Sequence, residues 1–510
     1  MLARLFSHTV LGMDACPVEV ETDLGWGLPA FSIVGLPDAA VREAKERVRA
    51  GIANSGYEFP LRRITVNLAP ADVRKEGPAF DLPIALSLLA ASDQLKSKLF
   101  SRYSAVGELS LDGGVRRING ALSIAEGARR HGHRGLMLPA DNAQEAALID
   151  GLEIVGIDTL SQAIDFFLGN QSIAPTRVDA GSLLASAHCH QPDLAEVKGQ
   201  QHARRALEVC AAGGHNMLMI GPPGSGKTML ARRLPSILPQ LEVGEAIEIT
   251  RIYSVAGLLN GSPVVKSRPF RSPHHTTSHV GLAGGGKTPL PGEVSLAHLG
   301  VLFLDEMPEF SRLALETLRQ PMEDGRVTIS RALHSVSYPA RFMLVAAMNP
   351  CPCGHLGDAA NQCVCSPQKL MSYRSRLSGP LLDRIDVAVE VPALGKGELM
   401  SVLPGEPSKD VAARVAKARR RQWQRLGESH IFCNAQMASA QTERFCPLSS
   451  TAVELLESAI DRLGLSARAH QRILKVARTI ADLDGRQEIE AAHLAEAISY
   501  RSIDRQGWNG

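Results

Sequence analysis

Three short, uniformly apolar runs mark the middle of the chain: "NMLMIG" at Asn216–Gly221, "VLFLDE" at Val301–Glu306 and "FMLVAAMN" at Phe342–Asn349. Runs of this length, each followed by Gly, Pro or acidic residues, predict buried parallel strands that end at a ligand edge. Upstream, to about residue 168, strand-like "RITVNLAP" and "GLMLP" alternate with the helix-like "AAVREAKERVRAGIANSG", an α/β pattern of ordinary domain size. After Pro392 the apolar spacing becomes three and four, and "TAVELLESAIDRLG" and "RAHQRILKVARTIADL" predict helices. Residues 169–192 are small and polar without sustained periodicity, which predicts a linker. The expected order is an α/β domain over 1–168, a linker over 169–192, a second α/β domain over 193–391 and a helical domain over 392–510. The final "DRQGWNG" is expected to fray.

Composition narrows the class. The chain has 510 residues with 45% hydrophobic content, enough to bury several cores, and length alone suggests about three domains. Lys and Arg total 55 against 53 Asp and Glu, so the formal charge of +2 announces no nucleic-acid or membrane partner, and any basic surface must be local. Arg4 and His8 interrupt the N-terminal apolar positions, so no signal peptide is read there, and no apolar run approaches the roughly 18 residues that span a bilayer. A cytoplasmic protein is expected, in which clustered cysteines hold metal or do chemistry rather than form disulfides. Cys16, Cys189, Cys210, Cys433 and Cys446 are scattered and read as packing residues.

The phosphate chemistry lies behind the apolar runs. "GPPGSGKT", comprising Gly221, Pro222, Pro223, Gly224, Ser225, Gly226, Lys227 and Thr228, matches G-x-x-x-x-G-K-[ST] between a strand and the helix-like "MLARRLPSI". The glycines let backbone N–H groups wrap phosphate oxygens, Lys227 reaches the β- and γ-phosphates of ATP, and Thr228 ligates Mg²⁺. "VLFLDE" places Asp305 to hold Mg²⁺ through water and Glu306 to polarise the attacking water. Asn349 ends the next apolar run, where its amide can orient that water. A γ-phosphoryl transition state calls for arginine. Arg384 in "GPLLDRIDV" and Arg468 in "LSARAHQRIL" are the candidates, and spacing alone equally allows surface arginines in salt bridges.

The stretches "GPPGSGKT", "RSPHHTTSHVGLAGGG", "PGEVSLAHLGVLFLDEMPEF", "NPCPCG", "SGPLLDRID" and "LSARAHQRILKVARTIADL" resemble AAA+ ATPases of the magnesium-chelatase/MCM-like branch. The whole chain resembles the YifB/ComM family within it. The resemblance implies an AAA+ P-loop core with a parallel sheet and a C-terminal helical lid. Asn349 would be sensor 1, Arg384 an arginine finger reaching a neighbouring subunit, and Arg468 sensor 2. A finger acting in trans implies a ring, by family expectation a hexamer. "HTTSHVGLAGGGKTPLPGE", 275–293, resembles the helix-2 insert, and "RVTISRALHSVSYPARF", 326–342, resembles the channel hairpin of MCM-type helicases. Arg331 and Lys287 would then contact DNA phosphates. The N-terminal domain, through "RKEGPAFDLPIAL" and "VGELSLDGGVRRINGALSIAEGARRHG", resembles the Lon-protease fold of the S5 domain 2-like type. It departs at Ala79, where the nucleophilic serine should stand, and at Leu122, where the lysine should, so peptidase chemistry of that type is not expected. His8, His131 and His133 form no convincing alternative triad and read as solvated or structural.

Four of the nine cysteines fall within fifteen positions: Cys351 and Cys353, then Cys363 and Cys365, in a C-x-C, nine residues, C-x-C arrangement. Four thiolates suit a closed, structural Zn²⁺ site, with His355 as a substitute ligand; buried or redox-prone thiols without metal are the other reading. "ARVAKARRRQWQRLG", 413–427, is helix-like and basic, and reads either as a phosphate contact with Trp423 stacking on a base or as a solvated face whose Trp423 anchors the core. The family resemblance implies a ring-forming, DNA-dependent ATPase that promotes branch migration on single-stranded or branched DNA during natural transformation. The competing class is a chelatase-like ATPase that remodels a protein partner.

Overall fold

A computed structural model describes residues 2–185, 191–286, 289–330, 335–357, 361–393, 405–427, 431–463 and 466–501. Its contacts divide the chain into two compact units. The first comprises 1–187 with 242–266 and 330–338; the second comprises 188–241, 267–329 and 339–510. Segments 242–266 and 330–338 thus group with the N-terminal unit, against their position in the chain.

The first unit is built on a seven-stranded sheet in the order Ala30–Val34, Arg63–Ala69, Asp14–Gly25, Leu2–Leu11, Tyr103–Ala105, Gly135–Pro139, Glu153–Ile157. Helix Asp81–Ala91 is buried along almost its whole length, because its apolar residues meet strand side chains on one side and helix Ala44–Asn54 on the other. Both "RITVNLAP" and "GLMLP" form strands, and "AAVREAKERVRAGIANSG" forms helices Ala39–Arg42 and Ala44–Asn54. Helix Val243–Val255 joins this unit through polar bonds: Arg251 donates to Asp14 Oδ1 at 2.9 Å and to Ser123 Oγ at 3.1 Å. Leu122 is fully buried, and Ala79 sits in the short turn Pro78–Phe80. Within 169–192, residues Ala180–Ala185 form a short helix.

The second unit carries a five-stranded sheet in the order Phe270–Arg271, Val301–Leu304, Met343–Met348, Met217–Ile220, Val387–Glu390, parallel throughout. Strand alternation splits its side chains between two cores. Met217, Met219, Phe303, Val345 and Val389 face helices Gln201–Gly213, Ser408–Leu426 and Ala467–Asp484, while Leu218, Leu302, Leu304 and Leu344 face Phe310, Leu315 and Leu381. Burying each of these large side chains contributes roughly 1.5–3 kcal/mol. The predicted C-terminal helices are Ser450–Leu463 and Ala467–Asp484, so the sheet and the helical segment share one apolar core. Among the described residues no helix is long and apolar enough to cross a membrane.

One expectation is corrected. Trp423 does not anchor the core: it is 58% exposed. In helix Ser408–Leu426 the buried positions are Ser408, Val411, Val415, Ala418, Gln422 and Leu426, a stripe at three- and four-residue spacing. Trp423 lies about 100° around the helix from Gln422 and so faces away from that stripe.

Candidate active site

Parallel pairing places three functional loops side by side. Ile220 is opposite Met348, and Leu304 is opposite Ala346, so the strands before Gly221, Asp305 and Asn349 end at neighbouring points on one sheet edge. Apolar burial fixes this register, since a one-residue slip would turn the core side chains of each strand to the wrong face.

The phosphate loop turns on Gly224 and Gly226, with φ of +75° and +93°, a region costly for residues with a Cβ. Helix Lys227–Arg233 begins directly behind them. At Gly221 a Cβ would meet the Val391 carbonyl oxygen at 2.1 Å, so glycine is required there by close backbone approach. Lys227 is only 8% exposed; its ammonium donates to the carbonyls of Gly221 and Pro222 at 2.8 Å and reaches Asn349 Oδ1 at 3.3 Å. Burial pushes its pKa down, and the charges of Asp305 and Glu306 oppose that shift. Thr228 Oγ1 donates to Asp305 Oδ2 at 2.7 Å. A folded-back ammonium, loop amides and a hydroxyl beside a carboxylate form a donor set that fits a triphosphate with a hard divalent cation.

Glu306 adopts the left-handed region at φ +50°, uncommon for a side chain without a local turn role and a form of strain often found at functional sites. Its carboxylate lies 3.6 Å from His275 Nδ1. His275 was not singled out by sequence reasoning, although it lies in the histidine-rich "SPHHTTSH" that carries the family resemblance. Tyr373 was also missed. The Asn349 N–H donates to its hydroxyl, whose pKa is pushed up to about 12, mainly by burial with Glu309 adding to it.

The two arginines converge on another turn. Arg384 is 11% exposed in its side chain and pairs with Glu323 and the Pro380 carbonyl of its own chain. Arg468 is 70% exposed and approaches Asp383 at 3.7 Å. The turn between them is held from the helical segment: Arg472 and Arg501 donate to the Ile385 carbonyl at 3.1 and 2.8 Å. Asp386 accepts from the Asn216 N–H at 3.1 Å, and His215 lies 3.5 Å from the same carboxylate. Burial would raise the pKa of Asp386, but His215, Arg472 and the Asn216 N–H outweigh it and hold the carboxyl below its ordinary range.

Both halves of 326–342 form strands, Arg326–Ser330 and Ser335–Pro339. Arg331 and Lys287 lie outside the described residues. Several cations of the basic helix are paired within the chain: Arg414 with Glu208 and Glu406, Arg419 with the Ala211 carbonyl, and Arg425 with Asp482. The four clustered cysteines converge, with all four sulfurs within 4.8 Å of one another; the His355 imidazole is not in the group.

Three family models match the chain: "Magnesium chelatase, subunit ChlI" over 193–399, "Subunit ChlI of Mg-chelatase" over 20–142 and "Magnesium chelatase, subunit ChlI C-terminal" over 405–501. The chain is 47% identical to the uncharacterized protein YifB of Escherichia coli over 99% of this chain and 98% of that protein. It is 46% identical to the competence protein ComM of Haemophilus influenzae over the same shares. A stretch of 168 residues is 28% identical to Lon protease 2 of Bacillus subtilis, covering 30% of each chain. Together with the parallel-sheet core and the helical C-terminal segment, these matches show that the chain belongs to the YifB/ComM family of magnesium-chelatase-like AAA+ ATPases.

Proposed function

We propose that this chain is a ring-forming ATPase that moves on single-stranded or branched DNA and promotes branch migration of recombination intermediates, as in natural transformation. The observation that carries the catalytic half is the meeting of Lys227 with Asn349 and of Thr228 with Asp305 at one sheet edge. The DNA half is supported by the resemblance of 326–342 to a channel hairpin and by full-length similarity to a protein named for competence.

In this reading the loop amides and Lys227 grip the triphosphate, Lys227 exchanging its carbonyl partners for phosphate oxygens. Thr228 and Asp305 would hold Mg²⁺, which when bound neutralises charge on the β- and γ-phosphate oxygens. Glu306 and Asn349 orient a water; its oxygen attacks the γ-phosphorus, the bond to ADP breaks, and Glu306 takes the proton. Arg384 leaves Glu323 to reach the nucleotide of the next subunit, and Arg468 reads the bound state from the helical segment. Arg331 and Lys287 contact DNA phosphates. The cofactors are Mg²⁺ at the triphosphate and a structural Zn²⁺ at the four cysteines.

The second reading is a chelatase-like ATPase acting on a protein partner. It is favoured by 24% identity over 60% of this chain to the magnesium-chelatase 38 kDa subunit of Rhodobacter capsulatus, covering 86% of that protein. ATPase rate with and without single-stranded DNA separates the two. The motor reading expects strong stimulation that salt and Arg331→Ala weaken, and loss of turnover by about 10²-fold or more in Glu306→Gln. Indifference to DNA would favour the protein partner.

A further inference from the structure

The four cysteines stand against the phosphate loop. Cys351 follows Asn349 by two residues and is fully buried. The Gly354 N–H donates to the Cys351 carbonyl at 3.0 Å, closing a turn in which Gly354 adopts φ +85°. That turn presses on Pro223 of the phosphate loop: a Cβ at Gly354 would lie 2.5 Å from the proline ring. On the other side, helix Pro367–Arg374 starts two residues after Cys365 and delivers the Tyr373 hydroxyl to the Asn349 N–H. The cluster therefore ties together the wall of the phosphate loop, Asn349, and the helix that holds Asn349.

Its geometry suits one tetrahedral metal. Cys351 Sγ lies 3.3 Å from Cys353 Sγ and 3.7 Å from Cys363 Sγ, and Cys353 lies 3.6 Å from Cys363. Sulfurs around Zn²⁺ at a Zn–S distance of about 2.3 Å stand about 3.8 Å apart. A disulfide needs about 2.05 Å, and all four cysteines are free. Each sulfur also receives a backbone N–H: Leu356 at 3.3 Å to Cys351, His355 and Val364 to Cys353, Cys365 to Cys363, and Cys353 to Cys365. Such N–H groups orient the sulfurs, and all four lie within 4.8 Å of one another, close enough to share one cation.

We propose that Cys351, Cys353, Cys363 and Cys365 bind one Zn²⁺, and that this closed site braces Pro223 and Asn349 so that nucleotide binding depends on the metal. The coupling rests on reading Gly221–Thr228 as the ATP loop; the metal site does not. With the metal in place, the Gly354 turn and the Tyr373 helix are held at fixed separation. Without it, no shared ligand holds the four sulfurs together, and the loop wall and Asn349 lose that support together.

The test uses the full-length protein purified without chelator. Elemental analysis is expected to give about one zinc per chain, and Cys363→Ser/Cys365→Ser to lose it; less than half an equivalent in the wild type overturns the metal site. Fluorescent-ATP binding is then compared for loaded, chelator-stripped and zinc-restored protein. Stripping is expected to weaken binding on the order of tenfold and restoration to recover it; unchanged affinity in metal-free protein overturns the coupling. Gly354→Ala leaves all four cysteines in place and guards against simple unfolding. It is expected to keep zinc while losing nucleotide affinity, and full affinity in that variant counts against the contact with Pro223. Zinc-loaded wild type that binds no nucleotide would refute the ATP-loop reading and the coupling with it, while the metal site stood.

Discussion

Burial makes charge costly, and two single residues in this chain meet that cost differently: one keeps its charge and finds partners, the other gives the charge up. Lys227 satisfies its ammonium with carbonyls of its own loop, a provisional arrangement that a phosphate can replace. His8 has no such partner. It is 1% exposed, neither ring nitrogen has a hydrogen-bond partner, and burial with help from His133 and His131 pushes its pKa down to about 3. The unfolded imidazole takes a proton near pH 6.5, and the folded one does not until about pH 3. The stability linked to His8 is therefore complete above pH 6.5 and is lost as pH falls toward 3, with a slope approaching about 1.4 kcal/mol per pH unit. Denaturant unfolding between pH 7 and 4 is expected to show that loss, and His8→Phe to flatten it; an equally steep decline in the variant would place the acid sensitivity elsewhere.

At the scale of elements, the strands and the phosphate loop were legible because their causes are local. A buried parallel strand is apolar at every position, and a loop that wraps phosphate needs glycine at set intervals, so "NMLMIGPPGSGKT" announces both. What was not legible depends on partners far along the chain. Helix Val243–Val255 joins the N-terminal unit through Arg251, Asp14 and Ser123, and no local pattern marks that pairing. Spacing leaves Arg384 open between an available cation and a salt-bridged one, and only the fold sets Glu323 beside it and Pro223 against Gly354. In helix Ser408–Leu426 the rotational phase was the missing quantity: a tryptophan amid arginines suggests an anchor, whereas the buried stripe runs through Val411, Val415 and Ala418. Val415→Ala is accordingly expected to cost about 0.5–3 kcal/mol by opening a cavity. Trp423→Ala should change stability by less than about 0.5 kcal/mol. Thermal or urea unfolding checks the pair, and a larger cost for Trp423 would contradict the assigned phase.

For the whole molecule, the sheet edge and the arginine turn belong to one mechanical unit. Asn216 stands immediately before the strand that leads into the phosphate loop; its side chain donates to the Arg384 carbonyl at 2.9 Å and accepts from the Leu344 N–H at 2.9 Å. In the proposed motor, a change at the nucleotide would reach the turn that carries Arg384 through Met217–Ile220 and Met343–Met348, and helix Ala467–Asp484 through Arg472. In the proposed ring, Arg384 exchanges Glu323 for the neighbouring subunit's nucleotide, which makes turnover a property of the assembly. Arginines supplied in trans accelerate phosphoryl transfer by about 10³–10⁵-fold. The most direct measurement is ATPase rate per protomer against protein concentration, with single-stranded DNA present, for the wild type and Arg384→Ala. The account predicts a rate that climbs with concentration as rings form, and a variant that still binds nucleotide yet turns over at least 10²-fold more slowly. A rate per protomer that is flat down to the monomer, and unchanged in Arg384→Ala, would contradict it.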